Sequence, residues 1–326
     1  MNPFLALRGQ PQAVELLQQA LLKDKIAPAY LFVGSPGIGR KIAARAFAQL
    51  LLAHHQPPDK QALIYKKVEA KNHPDFLWVE PTYQHQGQRL TATEAEAAGL
   101  KRKAPPQIRI EQIREISHFL ARPPLNAIRA VVVIEDAHTM AEGAANALLK
   151  TLEEPGRATL ILIAPSGDSL LSTLVSRCQR IPFYRLAHKE MGEILRAKGY
   201  GEIADNRVLC AIAQGSPGEA LLAAEQLAAI PPELLHKLAT PPTSPQQAIF
   251  LAKEIDQTLE AETQLWLLNY LQYTYWQKYL KNPRHSPPLE ALEKARQALL
   301  GYVQPRLVWE CTLLQFCSHP TALASR

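Results

Sequence analysis

A glycine-rich stretch near the start of the chain has the spacing of a phosphate-binding loop. Two of its glycines stand where the pattern Gly-x-x-x-x-Gly-Lys-Ser/Thr requires them, after an apolar run and before a helix-like segment. The lysine and the hydroxyl residue of that pattern are replaced, however, by Arg40 and Lys41. Because a guanidinium does not fit the slot of an ammonium and a lysine cannot ligate Mg²⁺, the loop predicts phosphate binding without the groups for hydrolysis. The candidate loop residues are Gly34, Ser35, Pro36, Gly37, Ile38, Gly39, Arg40 and Lys41.

Two adjacent carboxylates, Glu135 and Asp136, end the apolar run 129–136. In nucleotide hydrolases with such a loop, acidic residues at the end of a neighbouring strand hold magnesium and polarise the attacking water. The usual order is aspartate followed by glutamate, and here it is reversed. The pair is therefore a candidate magnesium site in altered form, and the alternative is a polar strand end that caps the next helix.

A single arginine, Arg177, lies in the tripeptide 176–178 just before an apolar segment that ends at residue 183. In a ring of subunits, an arginine at this position could reach the γ-phosphate bound by a neighbour and stabilise the charge that develops during transfer. Arg177 is therefore the candidate catalytic residue. The alternative is a structural arginine that pairs within its own domain.

Strand-like and helix-like segments alternate around these residues. The apolar runs 29–34, 129–136 and 158–166 are typical of buried parallel strands, with helical periodicity between them and a fourth short strand after Arg177. This alternation of strands and helices predicts an α/β domain with a parallel sheet. Beyond about residue 185, helical periods and proline clusters predict helices only, with a further boundary near residue 240.

The bulk properties restrict the classes of function. The net charge of +6 and the pI near 9.1 allow an anionic partner without proving one. No apolar run approaches the ~18 residues of a membrane helix, and the first residues lack the features of a signal peptide. The four cysteines are scattered, so a reducing cytoplasm is expected. The four cysteines form no C-x-x-C pair, and the adjacent His54 and His55 are interpreted as surface residues without partners. We therefore expect no metal site.

The segment 82–107 is polar and contains the basic cluster Lys101, Arg102 and Lys103. Its composition indicates a surface insertion that is partly flexible. A solvated loop is favoured over a dedicated DNA contact.

Several segments resemble the clamp-loader branch of the AAA+ proteins. They are AANALLKTLEEP (144–155), TLVSRCQRIPF (173–183), NHPDFLWVEP (72–81) and GYVQPRLVWECTLLQF (301–316). The last of these is similar to the final collar helix, where the family shows Asn-x-Asn-Pro-x-Leu-x-x-Glu. The resemblance implies an AAA+ P-loop domain at 1–185, a small helical lid at 186–240 and an all-α collar domain at 241–326.

Within that branch, the sequence resembles the delta-prime subunits of bacterial DNA polymerase III. Besides the altered loop and acidic pair, it has Pro165 and Ser166 where active subunits carry Thr or Asn, and Gly218 where they carry a lid arginine. Four losses at one site imply a scaffold without ATPase or polymerase activity of its own, inside a nucleotidyltransferase complex. No cofactor is required, residual binding of ATP or phosphate is compatible with the loop, and no zinc is expected because the family's four-cysteine module is missing.

The resemblance also implies partners and a role for Arg177. The partners are the gamma/tau and delta subunits and, through the complex, the sliding clamp and primer–template DNA in the cytoplasmic, nucleoid-associated replisome. Arg177 is then an arginine finger that acts in trans. Two alternatives remain open: an active gamma/tau-like ATPase that uses Arg40 in place of lysine, and a nucleic-acid-binding protein of another pathway on the same fold.

Overall fold

The computed structural model describes residues 2–99, 105–283 and 287–318. The chain divides into two compact units, Met1–Glu190 and Met191–Arg326, and each is described by itself. The division into three domains, with boundaries at 185 and 240, stays a prediction. Among the described residues, no helix is both long enough and apolar enough to cross a membrane.

The first unit contains a five-stranded sheet in which every pairing is parallel. Its strands are β1 (Ala29–Val33), β2 (Phe76–Val79), β5 (Ala130–Ile134), β6 (Ala158–Ala164) and β7 (Gln179–Pro182), in the order β2-β5-β6-β1-β7. The predicted α/β domain with a parallel sheet is therefore confirmed. Strand β2 was not predicted, and it pairs with β5 at the edge of the sheet.

Helices cover both faces of this sheet. The helices that pack on it are α1 (Pro11–Leu22), α2 (Arg40–Ala53), α3 (Pro58–Glu69), α5 (Ile110–Leu120), α6 (Glu142–Glu153) and α7 (Ser172–Val175), and α4 (Ala92–Ala97) lies in the insertion 82–107. Alternate residues of β1 point to opposite cores: Tyr30 and Phe32 pack with α1 and α2, whereas Leu31 and Val33 pack with α5 and α6. Because both faces are buried, the central strands are continuously apolar, which is why their runs could be recognised.

The segment 82–107 has more regular structure than the sequence predicted. Strands β3 (Tyr83–His85) and β4 (Gln88–Leu90) form an antiparallel hairpin, and α4 follows with a capping box between Thr91 and Glu94. The backbone N–H of Thr82 donates to the carbonyl of Gln107, which closes the base of the insertion. The basic cluster Lys101, Arg102 and Lys103 lies outside the described residues.

The second unit is helical throughout its described residues, as predicted. Its helices are α9 (Gly201–Asp205), α10 (Arg207–Ala213), α11 (Pro217–Ala228), α12 (Pro232–Leu238), α13 (Pro245–Thr258), α14 (Ala261–Lys281), α15 (Leu289–Leu300) and α16 (Pro305–Ser318), with α8 (His188–Ala197) at the division between the units. The indole of Trp309 is fully buried and donates to Gln264 Oε1 at 2.8 Å, and the Gln264 amide donates to the Leu259 carbonyl. This polar pair is satisfied inside the apolar core, as a buried polar group requires.

Candidate functional site

The glycine loop connects the end of β1 to the start of α2, where phosphate-binding loops lie. Gly34 has φ +152°, and a Cβ atom there would lie 2.5 Å from the carbonyl oxygen of Phe183. Gly39, the residue before α2, has φ +104°, and a Cβ atom there would lie 2.5 Å from a methyl carbon of Leu7. Both positions therefore require glycine for backbone conformation and for space. The predicted loop shape is present in the structure.

A buried glutamine holds this loop in place. Gln10 is only 3% exposed, and its Nε2 donates to the carbonyls of Ile38 (3.3 Å) and Tyr184 (2.7 Å). Its Oε1 accepts from the Tyr184 backbone N–H at 3.0 Å. The side chain thus ties the loop to the segment that follows β7. Sequence reasoning missed Gln10, since a single glutamine ahead of a helix carries no motif.

Arg40, the residue in the position of the loop lysine, lies inside the protein. It is 5% exposed, and among the described residues its Nη1 atom has no hydrogen-bond partner. Burial lowers the pKa of Arg40, while the carboxylates of Asp136 and Glu135 oppose that shift. The guanidinium therefore sits beside the acidic pair as a desolvated cation.

Glu135 is already engaged by other side chains. Its Oε1 forms an ion pair with the Lys41 ammonium, and its Oε2 accepts from the indole N–H of Trp78 at 3.1 Å. Asp136 adopts a left-handed conformation with φ +46°, and its backbone carbonyl accepts two hydrogen bonds from Thr139. A magnesium ion here would have to displace the Lys41 ammonium from Glu135, and Lys41 also occupies the position of the usual hydroxyl ligand. The residues present do not fit Mg²⁺.

Arg177 is held by two neighbours and remains partly exposed. Its Nη2 atom donates to Glu153 Oε1 at 2.9 Å, and its Nη1 atom donates to the Thr173 carbonyl at 3.0 Å. The side chain of Arg177 is 39% exposed and that of Glu153 is 54% exposed. The carboxylate comes from the end of α6, so a partner that is distant in sequence orients this arginine. The next residue, Cys178, is largely covered, and burial raises the pKa of its thiol to about 11.

The segment 72–81 contains a buried carboxylate that organises a neighbouring loop. The carboxylate of Asp75 is buried and accepts hydrogen bonds from the backbone N–H groups of Leu125, Asn126 and Ala127 at 2.6, 2.8 and 2.8 Å. The Asp75 backbone N–H in turn donates to His73 Nδ1. Burial lowers the pKa of His73, and the neutral imidazole that results can accept this bond. Asp75 therefore anchors the loop that leads into β5.

The remaining candidates occupy separate places. Pro165 and Ser166 follow directly after β6, on the same sheet as the loop. Gly218 lies in the first turn of α11, in the second unit. Its proposed place in a lid over the loop stays a prediction.

Comparison with known proteins places the chain in a family. Residues 9–187 match the family model described as "DNA polymerase III, delta subunit", and residues 189–316 match "Cyanobacterial DNA polymerase III delta prime, C-terminal domain". The DNA polymerase III subunit delta′ of Bacillus subtilis is 32% identical over 189 residues, which is 57% of this chain and 51% of that protein. The delta′ subunit of Pseudomonas aeruginosa is 34% identical over 156 residues, which is 47% of this chain and 42% of that protein. The chain therefore spans about half the length of these curated relatives.

A solved structure supports the fold alone. The crystal structure of a DNA polymerase III gamma subunit-related protein from Thermotoga maritima covers 94% of this chain and 99% of its own, with a TM-score of 0.51 and 17% sequence identity. The first family model covers more than half of the chain, and the second covers most of the remainder. The chain belongs to the DNA polymerase III delta-prime subunit family.

Proposed function

We propose that this chain is a delta-prime-type subunit of a DNA polymerase III clamp loader that does not hydrolyse ATP itself. It acts as a scaffold beside gamma/tau and delta subunits and helps to load the sliding clamp onto primed DNA. Contacts with primer–template DNA are then made through the complex and follow phosphates rather than bases. A replisome subunit of this kind works in the cytoplasm, associated with the nucleoid.

The engagement of Glu135 is the observation that supports this proposal best. ATP hydrolysis depends on magnesium and on a positioned water, and acidic residues at the end of this strand serve both. Here Lys41 and Trp78 use the two oxygens of Glu135. Asp136 keeps its carboxylate, but the loop lysine and the hydroxyl ligand are replaced by Arg40 and Lys41, so the set of groups that hydrolysis needs is incomplete. No cofactor is required for the scaffold role, although the N–H groups of the loop are still suited to a phosphate or to ATP.

Arg177 is the catalytic contribution that we assign to this subunit. Two hydrogen bonds hold its guanidinium, and more than a third of the side chain is open to a neighbour. A guanidinium fixed in advance costs little reorganisation when it meets the γ-phosphate of an adjacent subunit. In this role it stabilises the charge that develops at that neighbour's site.

ATP turnover by the purified chain tests the proposal. We expect no turnover above background with magnesium present, and Arg40→Ala should not change that result. Mixing with gamma/tau-type subunits should give a complex that co-elutes by size-exclusion chromatography. Turnover that Arg40→Ala abolishes would instead identify an active gamma/tau-like ATPase. Failure to assemble with the gamma/tau-type subunits would point to a different pathway.

A further inference from the structure

Three side chains that bind metals well lie together at the opposite end of α2 from the phosphate loop. Asp24 follows the end of α1, and His54 and His55 follow the end of α2. One carboxylate oxygen and one nitrogen from each imidazole all lie within 4.8 Å of one another. The sequence suggested two surface histidines without partners, and the structure instead brings a carboxylate to them.

The separation of these groups fits a bridging cation better than a direct hydrogen bond. His54 Nδ1 lies 3.8 Å from Asp24 Oδ1, which is beyond the roughly 3.2 Å limit of a good N–H···O bond. Two ligands that each lie about 2.1 Å from one tetrahedral zinc ion are about 3.4 Å apart. The 3.8 Å separation corresponds to a ligand angle of about 130° at such an ion. All three ligand atoms lie within 4.8 Å of one another, so a small movement of the exposed Asp24 and His55 side chains brings the set onto one ion.

The two histidine rings are neighbours, and they must move apart slightly to serve one ion, since two imidazoles on one tetrahedral ion have centroids about 5 Å apart. Their centroids are 4.0 Å apart and their planes are inclined by 59°, so the rings are adjacent without being stacked face to face. Asp24 and His55 are largely exposed, and His54 is half-buried. Water therefore has access to complete the coordination of a bound ion.

Some charges near the cluster favour a bound cation and others oppose it. The carboxyl ends of α1 and α2 meet here, and the partial negative charge of a helix end favours a cation. Arg129 opposes it, because this guanidinium interacts electrostatically with both Asp24 and His54. Its Nη1 atom is directed to Thr159 Oγ1 at 3.0 Å, however, so the guanidinium has a partner of its own. Because these effects oppose each other, we expect a surface site that binds a cation with modest affinity.

We propose that Asp24, His54 and His55 form a binding site for one divalent transition metal ion. Imidazole and carboxylate ligands suit Zn²⁺, and Ni²⁺ and Cu²⁺ accept the same donors. The bound ion would cross-link the turn after α1 to the turn after α2 and so stabilise the first unit. This site departs from the expectation of no metal, and it does not depend on the proposed role in clamp loading.

Zinc chloride is the probe that tests this site. The full chain, without an affinity tag and after treatment with a chelator, is titrated by isothermal calorimetry, and its thermal unfolding is followed with and without zinc. We expect one ion per chain and a higher unfolding temperature that EDTA reverses. Asp24→Asn and His55→Ala should each weaken binding at least about tenfold, the lower end of what even indirect support of a metal contributes.

Two controls make the result specific. His85→Ala removes an exposed histidine from the β3–β4 hairpin and should bind zinc like the unaltered chain. Cys311→Ser removes the exposed thiol and should also leave binding unchanged. Both ligand variants change exposed side chains, so circular dichroism should show them folded. Zinc binding that survives in His55→Ala, or that His85→Ala or Cys311→Ser weakens equally, would overturn the proposal, as would the absence of any zinc-dependent heat or stabilisation.

Discussion

Replacing Arg177 by alanine should separate a role in the chain's own stability from a role at a neighbour's active site. Within the chain, the change removes the ion pair with Glu153, whose side chains are 39% and 54% exposed. Exposed ion pairs contribute about 0–1 kcal/mol, so the free energy of unfolding should fall by less than about 1 kcal/mol. An arginine that acts in trans on phosphoryl transfer is worth about 10³–10⁵ in rate at the site it serves. The two roles therefore predict effects of very different size.

The assay is DNA-stimulated ATP turnover by a loader reconstituted with gamma/tau and delta subunits, at confirmed full assembly. Only one of several nucleotide sites would face Arg177, so total turnover should fall by less than the effect at that site. Clamp loading onto primed DNA, which needs coordinated sites, should fall further. Urea unfolding of the isolated variant provides the stability measurement.

Glu153→Gln is the matched control, because it removes the charge of the ion pair while the amide oxygen can still accept a hydrogen bond from the Arg177 guanidinium. Its unfolding free energy should change as little as that of Arg177→Ala, while loader turnover stays near that of the unaltered complex. If Arg177→Ala and Glu153→Gln reduce turnover equally, the ion pair matters rather than the arginine. Unchanged turnover and loading with Arg177→Ala would remove the trans-acting role altogether.

Three further outcomes follow from the geometry. Asp75→Asn should lower the free energy of unfolding by about 2–4 kcal/mol in urea, because an amide cannot accept from three backbone N–H groups as the carboxylate does; a loss below about 1 kcal/mol would contradict this. Gly34→Ala should cost at least about 1–3 kcal/mol because of its φ of +152° and a carbonyl oxygen 2.5 Å from the new Cβ, whereas Gly143→Ala, which meets nothing within 4 Å, should be tolerated. Cys178, with a pKa raised to about 11, should react with iodoacetamide at pH 8 more slowly than the exposed Cys311, as peptide mapping would measure.

Three of the four strands that the sequence predicted are buried on both faces. β1, β5 and β6 are buried along their whole length, so each is a continuous apolar run. β2 has only four residues, and its two central residues are half-buried, so it lacks such a run. The hairpin β3–β4 is short and polar, and its structure depends on contacts at its ends rather than on an apolar pattern. The edge strand β2 and the two hairpin strands were missed for this reason, whereas the edge strand β7, which buries Ile181, was predicted.

The sequence by itself showed that the loop lacks its lysine and its hydroxyl residue, because residue types are read directly from the sequence. Arg40 and Lys41 stand in the chain where those groups would be, whatever the fold does. Only the tertiary structure decided what their neighbours are: Lys41 and Trp78 meet at Glu135, and Arg40 becomes buried.

The same distinction applies to the contacts of Gln10, Arg177 and Asp24. Gln10 bonds to Tyr184, Arg177 pairs with Glu153, and Asp24 lies beside His54. Each pair is joined by elements that pack on the sheet, and the geometry of that packing comes from the burial of many apolar side chains at once. A local pattern carries no information about such a distance, and therefore these contacts became visible only in the folded chain.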